Sequence, residues 1–204
     1  ISHAYSDADF RACAELANQL LDANLRVYVE YSNEVWNGTF PTARYAREQG
    51  LARGMGAGGP IEDGACEAQL RFYALRARQT FEQFEAVFPR ERLVRVLATQ
   101  GGNPWVSRTE LEVPETVAHT DVLATGAYFG NPLGAPSEQA RVRAMDLGAL
   151  MSELESSAVP ATGEEIVGDA AIAAEFGLPL VAYEGGQHLV GHEGVGNDRA
   201  INDL

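Results

Sequence analysis

The sequence predicts an α/β fold, a partial (β/α)8 barrel of about four parallel strands with crossover helices, and three observations carry that expectation. Apolar, β-branched runs alternate along the chain with longer segments of helical periodicity, as crossover connections require. The strand-like runs stop at Asn33-Glu34, Gln100, Tyr128 and Glu184, so polar groups collect at strand ends. No phosphate-binding glycine turn follows the first strand, which favours the rim of a barrel over a doubly wound sheet.

Taken in order, Ser6 or Asp7 caps a helix in which Phe10, Cys13, Ala17, Leu20 and Leu21 recur at helical spacing, with Asn24 as its stop. Arg26 to Glu34 is the first strand; alternation along it puts Tyr28, Glu30, Ser32 and Glu34 on one face. Residues 36–64 read as a long glycine-rich excursion with a short helix from Thr42 to Ala52. Ala65 to Phe88 is a strong amphipathic helix closed by Pro89, and Leu93 to Gln100 the second strand. Asn103 to Leu111 reads as a loop with a short helix carrying Trp105. Thr120 to Phe129 is the third strand. Ser137 to Ser156 is expected to be helical, Thr162-Gly163-Glu164-Glu165 resembles a capping box opening the next helix, and Leu178 to Glu184 is the fourth strand before Gly185-Gly186.

Composition narrows the function. A chain of 204 residues with 46% hydrophobic content supports one sizeable core rather than two domains. A net charge of −14 argues against nucleic acid and anionic membranes as partners, because both need clustered cations. All 15 basic residues are Arg, which removes lysine Schiff-base chemistry and the lysine-dependent phosphate loop. No apolar window is long enough to cross a bilayer. No basic segment followed by an apolar run opens the chain, so a signal peptide is expected to be absent or already removed.

Several motifs carry less than their spelling suggests. Gly54-x-Gly56-x-Gly58 lacks the strand and helix that give a dinucleotide fingerprint meaning, and Asn37-Gly38-Thr39 matches a glycosylation sequon that nothing else supports. Cys13 and Cys66 lack metal or redox spacing and read as two buried thiols. His188 and His192 stand at i and i+4, but Gly191 weakens a helix there and no Glu lies between them. Neither a metal nor another cofactor is expected, and His188 is placed near the strand-end site instead. His3 and His119 read as surface or loop residues. Glu30 is expected to pair with Arg95.

Two strand-end glutamates on one rim suit hydrolysis of a glycosidic bond. One carboxyl protonates the leaving oxygen and the other attacks the anomeric carbon or activates water; a retaining site holds them roughly 5 to 5.5 Å apart and an inverting site roughly 6.5 to 9.5 Å. The plain alternative is a pair of solvated or Arg-paired strand ends.

The segments Glu30-Tyr31-Ser32-Asn33-Glu34-Val35-Trp36-Asn37 and Tyr183-Glu184-Gly185-Gly186-Gln187-His188-Leu189 resemble those of clan A glycoside hydrolases, and of bacterial hydrolase-like proteins sometimes labelled cellulose-binding. The resemblance implies strands four to seven of a full barrel, with the remainder of the barrel missing from the chain at both ends. It implies Glu34 as general acid/base with a raised pKa, Glu184 as nucleophile, and Asn33 as a donor to the sugar. Tyr128 would hold Glu184 ionised by a hydrogen bond, while Trp36 and Trp105 would stack on sugar faces or else anchor loops in the core. Gln100 and His188 complete the implied substrate-binding set, and the implied partner is an oligo- or polysaccharide, which would suit a secreted or cell-surface location. A non-catalytic carbohydrate-binding or scaffold protein is the alternative on the same rim.

Overall fold

A computed structural model describes residues 1–32, 34–56 and 61–203, and for 61–63 and 202 the backbone alone. Helix α1 (Asp7–Leu20) opens at Ser6, whose hydroxyl accepts from the Asp9 N–H while the Asp9 carboxylate accepts from the Ser6 N–H. This reciprocal cap satisfies donors that a helix start leaves unpaired. Strand β1 (Val27–Glu30), helices α2 (Pro41–Ala52) and α3 (Ile61–Glu85), strand β2 (Leu93–Thr99), helix α4 (Pro104–Leu111) and strand β3 (Val122–Phe129) follow. Short helices α5 (Gln139–Arg143) and α6 (Leu147–Glu153), a π turn (Leu154–Ala158), helix α7 (Val159–Glu175), strand β4 (Leu180–Gln187) and α8 (Arg199–Asn202) complete the order.

Among the described residues, all four strands are parallel, in the spatial order of the chain, and form a curled half-barrel sheet. The helices cover its convex face. Val29, Leu93, Leu97 and Leu123 there pack against Phe10 and Ala14 of α1, Phe72, Tyr73, Ala77, Phe81 and Phe84 of α3, Leu111 of α4 and Ile172 of α7. Each large side chain so buried contributes about 1.5 to 3 kcal/mol. The concave face carries a smaller cluster of Val94, Val96 and Ala124 with Val122 and Tyr183 beside it.

Five expectations need correction. The first strand ends at Glu30, so Ser32 and Glu34 do not continue its alternation. Beyond that point the Tyr73 hydroxyl takes the Ala98 N–H (2.9 Å) and donates to the Ala98 carbonyl (3.1 Å), occupying backbone groups that a longer β1 would pair. Glu30 does not pair with Arg95. Parallel register sets Glu30 beside Val96, so Arg95 points to the other face, where it bonds Asp121 (2.8 and 3.0 Å) and Glu85.

The helix expected over Ser137 to Ser156 is broken, because Asp146 caps a fresh start by accepting from the Ala149 N–H. Thr162 opens no helix. Pro160, which has no N–H to lose, sits in the first turn of α7 where the π turn shifts the hydrogen-bond ladder, so the helix is already running when it reaches Thr162. Cys13 and Cys66 are free thiols on α1 and α3, half-buried rather than buried.

Candidate functional site

Glu34 is placed by strain and by donors. It lies four residues past β1 with φ 40°, and Ser32 has φ 63°, both in the left-handed region that costs a side-chain-bearing residue about 1 kcal/mol or more. Surrounding bonds hold this turn: Ser32 to the Thr42 hydroxyl (2.8 Å), Asn37 N–H to the Glu34 carbonyl (2.8 Å), and the buried Gln69 amide to the Val35 carbonyl (2.5 Å). The Asn37 amide donates to Glu34 Oε2 (2.9 Å), and the Tyr183 hydroxyl reaches Oε1 at 3.4 Å.

Glu184 is placed by a bulge. Register between β3 and β4 passes from Thr125 opposite Ala182 to Gly126 opposite Glu184, which leaves Tyr183 as the extra residue. Both Tyr183 and Glu184 thereby serve the same site. Glycine opposite them leaves the Tyr183 hydroxyl its room, since a Cβ on residue 126 would sit 3.3 Å from it and press it aside by a few tenths of an ångström. The Glu184 carboxyl shares one space with the Tyr128 ring and the Glu34 carboxyl, and the Tyr128 hydroxyl opposes the rise of its pKa. Although β1 and β4 are the two edge strands, the curl of the sheet brings their carboxyls together.

Glu34 lines a cleft of about 590 Å³ over the C-terminal ends of the strands, together with Trp36, Gln100, Tyr128, Tyr183 and His188, and Glu184 lines an adjoining space of about 410 Å³ that shares Glu34, Tyr128 and His188 with it. Trp36 meets Tyr73 edge-on and Tyr183 at a tilt, both at 6.4 Å, so it serves as loop anchor and cleft wall together. His188 follows β4, donates its N–H to the Phe129 carbonyl (2.8 Å) and stands edge-on to Tyr128 at 5.4 Å. Gln100 accepts from Asn103 (2.9 Å) at the end of β2. Trp105 does not join them: it is the second residue of α4, half-exposed and not among the residues that line the cleft. Asn33 lies outside the described residues.

Burial pushes the Glu184 carboxyl up, and the Glu34 charge adds to that push against the Tyr128 hydrogen bond. Tyr183 itself is pushed far up by burial and by both glutamates, so it stays a hydroxyl donor. Beneath the pair on the concave face, burial lifts Glu30 to about 7, with Glu184 adding to the rise.

A buried hydrogen-bond chain fixes the cleft floor from behind. Asp169 of α7 accepts from the Gly102 N–H and the Ser107 hydroxyl, both at 2.9 Å, and Ser107 meets Thr99 at 2.9 Å. Sequence reasoning missed Asn37, Tyr183 and Asp169. Asn37 and Tyr183 lay inside the two resembling segments but were given no role there, and Asp169 carried no signal within its helix. Among the described residues no group of three His, Cys, Asp or Glu could hold a metal, and the His188–His192 stretch is not helical; His192 bonds the Asn131 side chain instead (3.0 Å). No described helix is long and apolar enough to cross a membrane.

Compared with known proteins, the chain matches no family model, no curated protein and no solved structure.

Proposed function

We propose that this chain carries the catalytic rim of a retaining glycosidase built on a (β/α)8 barrel, of which the described half-barrel holds the acid/base and nucleophile strands. The observation that carries the reading is that two glutamates from opposite sheet edges line one open space, with Tyr128 beside them and the Asn37 amide on Glu34.

In the first step one carboxyl gives its proton to the glycosidic oxygen as the other attacks the anomeric carbon; the C–O bond breaks and a glycosyl ester forms. Water then attacks that ester, gives its proton to the first carboxylate, and releases the sugar with the nucleophile restored. Glu34 is assigned acid/base and Glu184 nucleophile. That assignment needs Glu184 ionised; burial and the Glu34 charge raise it, and the Tyr128 hydroxyl opposes the rise. Tyr128 then stabilises the ionised Glu184 by its hydrogen bond.

The test is turnover of activated aryl glycosides with the anomeric configuration of the first product read by NMR. Glu184→Gln and Glu34→Gln should each lower kcat by about 10²- to 10⁴-fold, with retention in the wild type. Unchanged turnover in Glu184→Gln would remove the nucleophile. Sugar binding without turnover in any form would favour a carbohydrate-binding role for the same cleft.

A further inference from the structure

Next to the carboxylate cleft lies a second cavity of about 520 Å³, between the turn Asn131–Gly134, α5, the π turn and the start of α7. It shares Tyr128, Asn131, Thr162 and Glu165 with the cleft, so the two spaces form one groove. Each volume falls within the roughly 300 to 1,000 Å³ of ligand pockets.

We propose that this second cavity is a subsite for a further sugar residue of a glycan chain, and that it takes neutral or amino-bearing residues and excludes uronic acids. The assignment of a glycan rests on the glycosidase reading; the subsite itself rests on the walls and charges of the cavity.

The junction is held in shape. The Thr162 hydroxyl donates to the Tyr128 carbonyl (3.0 Å), tying α7 to the end of β3, and Asn131 is held by His192 (3.0 Å). Tyr128 is 38% exposed where the two spaces meet, and its ring is steadied by the edge-on His188. An aromatic face flanked by an amide and hydroxyls offers what a pyranose presents, apolar C–H groups on its faces and hydroxyls around its edge.

The charges decide which sugars fit. Arg141 is the one cation among the described residues that line the cavity, and it is already engaged by Glu138 (2.6 Å) and Glu153 (3.3 Å). Glu165 adds a third carboxylate, and Glu34 lies in the adjoining cleft. A uronic acid entering here meets net negative charge with no free guanidinium to receive it; a neutral sugar loses nothing, and a protonated amine gains.

The experiment is calorimetric titration of the Glu184→Gln chain, so that turnover consumes no ligand, with four probes: β-1,4-linked glucose dimer and hexamer, a glucosamine hexamer and a galacturonate hexamer. The glucose or glucosamine hexamer should bind at least tenfold more tightly than the glucose dimer, and the galacturonate hexamer should not bind measurably. Ala161→Trp, at an exposed position of α7 that fills the cavity, should erase the length gain and leave dimer binding unchanged; Ser157→Trp from the π turn repeats the block from another position. Equal affinity for dimer and hexamers, a gain that survives both substitutions, binding of the galacturonate hexamer, or binding of no probe would each overturn the subsite. Failure of the glycosidase reading is a separate result, turnover that Glu184→Gln leaves unchanged.

Discussion

Glu30 gives the site a stability cost that can be read without any substrate. It ends β1 on the concave face beside Val96, and burial, with the Glu184 charge, lifts its pKa from the ordinary 4.5 to about 7. Between those two values the folded chain holds a proton that the unfolded chain has already lost, so stability falls as pH rises through the window. At about 1.4 kcal/mol for each pH unit, the loss by pH 8 is about 3 kcal/mol, and it is absent below pH 4.5. For a chain of this size that corresponds to roughly 6 to 12 °C in Tm.

Glu30→Gln keeps the shape and removes the charge. The measurement is the urea midpoint or Tm of wild type and variant at half-unit steps from pH 4.5 to 8, taken as a difference so that other titrating groups cancel. The variant should match the wild type near pH 4.5 and gain steadily above it, to about 3 kcal/mol at pH 8. A difference that stays flat across the window would refute the burial account of Glu30.

Three further substitutions probe groups around the site. Tyr128→Phe removes the hydrogen bond that opposes the rise at Glu184, so the acidic limb of a pH–rate profile should move to higher pH and kcat should fall about 10- to 100-fold. Asp121→Asn should destabilise by about 3 kcal/mol at neutral pH, because it leaves a nearly buried Arg95 with Glu85 as its one carboxylate partner. Burial works against Asp121, yet the Arg95 bonds hold it below its ordinary 3.8; its contribution is therefore present above that value and lost as pH falls through the lower folded one, which urea midpoints at pH 2 to 7 would show. Glu110→Leu should instead stabilise by about 1 to 3 kcal/mol in the same assay. Glu110 is fully buried with neither oxygen in a well-formed hydrogen bond, and burial drives it well above its ordinary value.

Much of the architecture was legible because it follows from hydrophobic period. β2 is buried along its whole length, so its continuous apolar run reads as a strand, and the aromatic spacing of α3 marks the face that meets it. The parallel order followed from helices alternating with strands. What the pattern does not encode is where a strand stops. Val27 to Val35 is one β-favouring run, yet its pairing ends at Glu30, because a tyrosine 43 residues further along the chain takes the backbone groups that would have continued it. In the same way the break at Asp146 is a cap rather than a change of periodicity, and Pro160 is harmless only because of the π turn before it.

Those two illegible features, the early end of β1 and the bulge at Tyr183, are also what shape the site. Had β1 run on to Glu34, alternation would have set that carboxyl among the concave-face side chains in line with Glu30, and the left-handed turn that offers it to Asn37 would not exist. Without the bulge, Tyr183 and Glu184 would point to opposite faces, and the site would lose either the hydroxyl on Glu34 or the second carboxyl. Regular sheet therefore supplies the curl that brings the edge strands near each other, while departures from regularity aim the groups. That division explains why Glu34 and Glu184 were found from sequence as types of residue at strand ends, and why Asn37, Tyr183 and Asp169, whose roles depend on the departures and on contacts between distant elements, were not.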